Sequence, residues 1–172
     1  MTDFINCQNR KTMEKEYVIT IFSENKVGLL NQITTVLICR NINIESLTTS
    51  ESSVAGVHRF TITVCTEPEK KVEVLKALVN TPDEVVQQEI ALYKVPRDNN
   101  VEALVRRHHV RILEVGDRYI VLEKTGHKNE TQELFELLKP YGVYQFVRSG
   151  LVAITKSGFE PVTELLKKET GV

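Results

Sequence analysis

The spacing of apolar side chains divides the first part of the chain into alternating strands and helices. Residues 16–23 are rich in β-branched and aromatic types, which predicts a strand. Residues 27–37 carry apolar side chains at helical spacing and predict a helix. Residues 42–51 and 56–65 alternate between apolar and polar positions, which predicts the two strands of a hairpin. The helix is expected to face the core with Val27, Leu30, Ile33 and Leu37.

A second helix and a further extended segment complete this first group. Glu67 and Pro68 suit a helix start, because proline fits the first turn and acidic residues stabilise it. This helix is predicted to stop at Pro82, and residues 84–95 are predicted to be extended again. Its apolar stripe comprises Val72, Leu75, Leu78 and Val79. The resulting order, βαββαβ, is that of a ferredoxin-like unit with two helices on one face of an antiparallel sheet.

The remainder of the chain repeats this order. Its predicted elements are a strand at 90–95, a helix at 101–108, a hairpin at 111–124 around Gly116 and Asp117, a helix at 129–141, strands at 143–147 and 151–155, and a short helix at 159–166. We therefore predict an α+β protein made of two ferredoxin-like βαββαβ units. The predicted limits are a disordered tail at 1–15, a first domain at 16–88 and a second domain at 89–172, joined by a stiff apolar connection.

Composition and charge narrow the class of protein. The chain has 172 residues with 22 Lys and Arg against 23 Asp and Glu, a balance that argues against nucleic-acid binding. No apolar run is long enough to cross a membrane, and the tail lacks the apolar core of a signal peptide, so we expect a cytoplasmic protein without membrane contact. Met13 precedes the first patterned segment and is a candidate second translation start. Cys39 and Cys65 lie in apolar segments and are expected in the core.

Sequence motifs of catalysis are not apparent. There is no GxGxxG or GxxxxGK[ST] nucleotide fingerprint and no GxSxG nucleophile elbow. Adjacent histidines on a helix diverge by about 100°, so His108 and His109 cannot both chelate one ion well. We interpret them as one half-buried and one solvated side chain beside Arg106 and Arg107, with a local anion or partner contact as the alternative. We predict no catalytic residue and no metal site.

The most informative segment is the loop between the first strand and the first helix, residues 23–30 (SENKVGLL). The first N–H groups of a helix lack intrahelical acceptors and lie at the positive end of its dipole, so they favour an anion such as a carboxylate. Gly28 lets a ligand approach the backbone closely, and Asn25 can cap the helix or donate its amide to a carboxylate. An ordinary capped loop would carry the same residues, so this alternative stays open.

A second asparagine offers the opposite polarity. Asn43 lies at the start of the second strand, which in a ferredoxin-like unit can be a sheet edge open to another copy of the chain. Its side-chain oxygen can accept a hydrogen bond from an ammonium group, whereas the alternative is a turn residue at the strand entry. A carboxylate at the loop, an ammonium at Asn43 and an apolar pocket between them describe a small aliphatic amino acid.

These residues carry a resemblance to a known family. FSENKVGLLNQITTVLICRNINIESLT (residues 22–48) resembles the opening of the ACT domain in the small, regulatory subunits of acetolactate synthase, also called acetohydroxyacid synthase. NINIESLT is its most specific piece, and the later HRFTITV and VRSGLVAITKSG segments fit the same family in order. The resemblance covers about residues 16–158.

The resemblance implies a regulatory protein that is not itself an enzyme. Members bind the catalytic large subunit, raise its activity and make it sensitive to a branched-chain amino acid, most often valine. Thiamine diphosphate, magnesium and FAD are expected on the large subunit, and none of them on this chain. The ACT domains are expected to pair as a homodimer, with the effector where they meet. The effector-binding residues implied for this chain are Asn25, Val27, Gly28, Leu29, Leu30, Asn43 and Ile44.

Other classes of protein remain as alternatives. A free-standing ACT-domain sensor of another pathway would share the fold and the effector site, and co-purification with a large thiamine-diphosphate enzyme separates it from a regulatory subunit. An enzyme in its own right would turn over pyruvate alone. A DNA-binding regulator would need a helix-turn-helix segment or a basic stripe, and the sequence shows neither.

Overall fold

The structure is a computed structural model that describes residues 14–67, 78–97, 101, 104, 105 and 107–158. The predicted tail to residue 13, most of the predicted second helix (68–77) and the predicted last helix (from 159) lie outside the described residues. Two compact units are present: one is formed by the described chain up to Val86 and from Ala153 onward, the other by Gln87–Val152. Within the described ranges, no helix is long and apolar enough to span a membrane.

The first unit is built on a four-stranded antiparallel sheet in the order β2-β3-β1-β4. Its elements are β1 (Lys15–Glu24), α1 (Leu29–Cys39), β2 (Ile44–Glu51), β3 (Val57–Thr66) and β4 (Leu78–Asn80). β1 pairs with β3 from Lys15↔Thr66 to Glu24↔Val57, and β2 pairs with β3 as the edge strand. The predicted hairpin of β2 and β3 is confirmed.

The core of this unit lies between the sheet and α1. Alternate residues of β1 and β3 point to the helix, which contributes Ile33 and Leu37. The buried strand residues of this cluster are Tyr17, Ile19, Ile21, Phe60, Ile62 and Val64. This packing fixes where α1 begins relative to the end of β1, and so it positions the loop that joins them.

The second unit repeats the topology. Its sheet has the order β6-β7-β5-β8, with β9 also paired to β5. From Pro82 onward the elements are a 3-10 turn (Pro82–Glu84), β5 (Val85–Pro96), β6 (Arg111–Val115), β7 (Tyr119–Gly126), α2 (Lys128–Leu138), a 3-10 turn (Lys139–Tyr141), β8 (Gln145–Arg148) and β9 (Val152–Thr155). The first of these turns, the start of β5 and the end of β9 belong to the first unit in the division given above. Residues 101, 104, 105 and 107 are helical, as predicted. The ferredoxin-like α+β class is therefore confirmed.

The assignment of the fourth strand of the first sheet is a correction. Leu78 and Val79, predicted as the end of the second helix, lie in β4 beside β1. Residues 84–95, predicted to close the first unit, belong instead to β5, which lies between β7 and β8 in the second sheet. Apolar spacing alone cannot separate a three-residue strand from the end of a helix, because both accept two adjacent apolar residues.

The orientation of α1 is a second correction. Ile33 and Leu37 are buried, but Val27 is fully exposed and Leu30 is 42% exposed. Leu29 and Val36 pack against the core in their place. Cys65 is buried as expected, whereas Cys39, at the end of α1, is an exposed free thiol. The helix is rotated so that part of its predicted apolar stripe faces outward.

Candidate functional site

The loop between β1 and α1 makes a tight turn at Gly28. Gly28 is the N-cap of α1 with φ 85° and ψ −8°, the left-handed conformation that favours glycine. The Leu29 N–H donates to the Lys26 carbonyl (3.2 Å), and the Gln32 N–H donates to the Gly28 carbonyl (3.1 Å). A Cβ at Gly28 would meet no atom of the described chain within 4 Å. The glycine is therefore required by backbone conformation, and the space beside it is open.

The N-terminus of α1 is open to an anion. No side chain in the described part of the chain caps this helix, and its first turn contains no acidic residue. Asn25 is exposed and does not cap α1, so the capping role predicted as one of its two alternatives is wrong. Unsatisfied N–H groups at the positive end of the helix dipole stabilise a negative charge placed there.

Helix α2 has the same length as α1 and a different N-terminus. There the His127 N–H donates to the Glu130 Oε2 at 2.7 Å, so the helix start is covered by a carboxylate from its own first turn. The first turn of α1 contains no acidic residue, so a carboxylate from a ligand can take the place at the N-terminus of α1 that Glu130 takes at that of α2.

The charged residues of the loop neutralise one another. Lys26 Nζ forms an ion pair with Glu24 Oε2, and both side chains are exposed. The hydrogen bond and the positive charge of Lys26 hold the pKa of the Glu24 carboxyl below its ordinary value. Because the pair is solvated, it leaves the helix N-terminus as the local feature that attracts an anion.

Apolar surface lies next to this N-terminus. Val27 and Leu30 are exposed, whereas Leu29, also predicted as a site residue, packs against the core of the unit. Val27 and Leu30 are therefore available to a ligand side chain, and Leu29 holds α1 in position.

Asn43 and Ile44 lie at the beginning of β2, the edge strand of the first sheet. Asn43 is exposed, and its Nδ2 donates to the Glu45 Oε1 at 3.3 Å. Sequence reasoning did not single out Glu45, although its position two residues after Asn43 places both side chains on the same side of an extended chain. That two-residue spacing is the feature of the sequence that could have indicated Glu45.

Within one chain the loop and Asn43 lie at opposite ends of the sheet. Ile44 pairs with Val64, which pairs in turn with Tyr17 near the start of β1, whereas the loop follows Glu24 at its end. At the rise of a strand, the stretch from Tyr17 to Glu24 spans about 24 Å. The structure brings Asn25, Val27, Gly28 and Leu30 together and leaves Asn43 and Ile44 apart from them.

The two adjacent histidines differ in exposure. His108 is half-buried and His109 is exposed with φ 51°, as expected for one half-buried and one solvated side chain. Among the described residues, no group of three or more His, Cys, Asp and Glu side chains is arranged to hold a metal ion.

Two family models divide the chain in the same way as its secondary structure. Residues 17–83 match the model of the ACT domain, and residues 88–157 match the model described as the small subunit of acetolactate synthase. The fold and these two matches thus define an ACT-domain protein with a second ferredoxin-like unit.

Individual relatives make the family specific. The acetolactate synthase small subunit of Bacillus subtilis is 33% identical over 154 residues, which cover 81% of this chain and 90% of the relative. That of Aquifex aeolicus is 29% identical, with 86% and 84% covered. The crystal structure of the small subunit from Thermotoga maritima superposes with a TM-score of 0.73 at 26% identity, covering 84% of this chain and 99% of that one. The chain belongs to the acetolactate synthase small-subunit family.

Proposed function

We propose that this chain is the regulatory subunit of an acetolactate synthase and is not catalytic by itself. It binds a thiamine-diphosphate-dependent large subunit, raises its activity and makes it subject to feedback inhibition by a branched-chain amino acid, valine first among them. Family membership supports the assignment, since the relatives that share both units are named as small subunits of this enzyme. Thiamine diphosphate, magnesium and FAD are assigned to the large subunit.

The open N-terminus of α1 is the observation that carries the effector site. A free amino acid presents a carboxylate, an ammonium group and a side chain, and each needs a different surface. The carboxylate is assigned to the N–H groups after Gly28, and the aliphatic side chain to Val27 and Leu30. The ammonium group is assigned to the side-chain oxygen of Asn43, with Ile44 beside it.

A second copy of the chain completes this site. Because the loop and Asn43 lie at opposite ends of one sheet, a ligand of amino-acid size cannot reach both in a single chain. β2 is the edge strand among the described strands of the first sheet, and edge strands pair readily with another chain, so two copies can meet there about a two-fold axis. An antiparallel pairing sets the start of one β2 beside the end of the other, which brings Asn43 of the second copy to the end of the sheet that bears the loop.

Regulation then follows from differential binding. An effector held by two ACT domains stabilises the arrangement of the dimer in which both halves of the site are in place. If the large subunit is more active with another arrangement, the effector inhibits it. A coupling of about 1–3 kcal/mol is sufficient for useful inhibition. We assign effector binding and dimerisation to residues 16–88, and residues 89–172 to the C-terminal domain of the small subunit.

Replacement of Gly28 by aspartate tests the site. In a holoenzyme reconstituted with the large subunit, Gly28→Asp is expected to abolish inhibition by valine and to leave activation. The new carboxylate repels that of the effector, and its Cβ occupies the space where the effector approaches the backbone. The measurement is the rate of acetolactate formation with and without the small subunit, over a range of valine concentrations.

Gly142 offers a matched control for this variant. It has the same positive φ of 85°, with ψ 104°, and lies after α2 in the other unit, so Gly142→Asp introduces the same charge at another glycine that a side chain strains. Gly142→Asp should retain inhibition by valine. If the Gly28→Asp holoenzyme stays fully sensitive to valine, the proposed site is wrong.

A further inference from the structure

The orientation of the Asn43 amide is fixed by Glu45. The contact joins Asn43 Nδ2 to Glu45 Oε1 at 3.3 Å. An ionised carboxylate only accepts hydrogen bonds, so the amide must present its NH2 group to Glu45. The other end of the amide, Oδ1, is then turned away from the carboxylate.

A β-bulge holds the two residues in this relation. The pairing of β2 with β3 passes from Ile44↔Val64 to Ser46↔Thr63, so Glu45 is an extra residue in β2. The Ser46 hydroxyl donates to the Thr63 hydroxyl oxygen at 3.0 Å and ties the strand to its neighbour directly after the bulge. Bulges re-aim side chains at sheet edges, and this one lies at the start of the edge strand.

We infer that Glu45 is a positioning residue of the effector site: it orients the Asn43 amide so that Oδ1 accepts from the ammonium group of the amino acid. This inference rests on the proposed function. Without Glu45 the Asn43 amide can rotate by half a turn and present its NH2 group to the ammonium. The NH2 group has two donors and no acceptor, so it cannot accept a hydrogen bond from the ammonium. Glu45 therefore serves recognition of the amino group and not of the carboxylate.

Two ligands that differ in the amino group test this role. Binding of L-valine and of 3-methylbutanoate, which lacks the ammonium group, is measured on the full-length chain by calorimetry, the weaker ligand by competition. Glu45→Ala is expected to weaken the binding of L-valine at least about tenfold, the lower end of the loss of one hydrogen bond to a charged group, and to leave the binding of 3-methylbutanoate unchanged. Glu45→Gln should bind L-valine within about twofold of the wild type, because its side-chain carbonyl still accepts from Nδ2.

The outcomes separate this inference from the site on which it depends. Asn43→Ala is expected to cause the largest loss of affinity for L-valine, and the loss in Glu45→Ala is compared with it. The positioning role is overturned if Glu45→Ala binds L-valine as tightly as the wild type does, or if its affinity falls equally for both ligands. It is also overturned if Glu45→Gln loses as much affinity for L-valine as Glu45→Ala does. If neither Asn43→Ala nor Gly28→Asp changes L-valine binding, or the wild type binds no branched-chain amino acid, the effector site itself is overturned.

Discussion

At the scale of single residues, the second unit contains an ion pair between a half-buried arginine and a buried glutamate. Arg148 Nε lies 3.3 Å from Glu89 Oε1, a contact between charges whose angle is not that of a hydrogen bond. Glu89, only 6% exposed, also accepts from the Thr131 hydroxyl, and Arg148 Nη2 donates to Gln132 Oε1 at 2.6 Å. The pair therefore ties β5, α2 and β8 together by polar contacts within a largely apolar unit.

A tyrosine belongs to the same cluster. The Tyr93 hydroxyl donates to the Thr131 carbonyl at 2.7 Å, and its ring stacks on Phe146 with 5.0 Å between centroids. Burial raises the pKa of Tyr93 well above its ordinary value. The hydroxyl therefore stays neutral and keeps donating its hydrogen bond at neutral and moderately alkaline pH.

Removal of one charge of this pair is predicted to be costly. Arg148→Met leaves the Glu89 carboxylate buried without its counter-charge, and we expect the free energy of unfolding to fall by about 3–5 kcal/mol. Urea unfolding followed by circular dichroism measures it. The solvated pair of Lys139 and Glu136, 3.2 Å apart, is the control, and Lys139→Met should cost less than about 1 kcal/mol. Equal small losses in both variants would show that Glu89 does not need Arg148.

At the scale of elements, two adjacent residues of α1 serve different purposes. Leu37 is 1% exposed and packs in the core, whereas Ile38 is 69% exposed. Leu30 and Ile38, two turns apart, lie on the same outward face of the helix. An exposed apolar face on a helix next to an edge strand suits contact with a second copy of the chain.

Substitutions at Ile38 and Leu37 are predicted to change different properties, dimerisation for the first and stability for the second. Ile38→Glu should weaken dimerisation at least about tenfold, since it places a charge in an apolar contact, and should keep the circular dichroism of the wild type. Leu37→Ala should lower the free energy of unfolding by about 2–5 kcal/mol through loss of packing. Sedimentation velocity measures the first effect and urea unfolding the second. Unchanged association of Ile38→Glu would exclude this face of α1 from the dimer contact.

The sequence predicts most elements of this fold, and its errors have a physical cause. Spacing identified α1, but Val27, Leu29, Leu30 and Ile33 are apolar on two neighbouring stripes, and only packing on the sheet decides which stripe turns inward. β4 was missed because three residues are too few to show a strand period.

The candidate site was predictable in part. Residue types and spacing located the loop at Gly28 and the asparagine before β2. The N-cap position of α1 is taken by Gly28, which has no side chain to cap the helix, and residue types alone do not show that this residue rather than Asn25 takes the position. The hydrogen bond between Asn43 and Glu45 lies beside a bulge that residue types do not show either. The pairing register, which places Asn43 at the far end of the sheet, also needs the structure.

At the scale of the whole molecule, each unit has a hydrophobic core of its own. The first is centred on Ile19, Leu37 and Ile62, and the second on Tyr93, Leu122 and Leu138. Because local stability depends on the contacts within each cooperative unit, two units with separate cores can unfold independently.

Hydrogen exchange is predicted to resolve the two units. Leu138→Ala creates a cavity in the second core and should accelerate exchange of slow amides within residues 87–152 at least about tenfold, with little change in β1 and β3. Leu37→Ala should give the reverse pattern. Mass spectrometry of peptic fragments measures both. Acceleration spread evenly over both units in either variant would mean that they unfold as one.

The placement of Asn43 and the Gly28 loop at opposite ends of one sheet makes the proposed sensor dependent on its own concentration. A ligand shared by two chains must strengthen their association by the same factor by which association strengthens its own binding. Dilution would therefore weaken the response to the amino acid without any change in sequence. In a cell that makes little of this protein, feedback inhibition would be weak even though the protein is present.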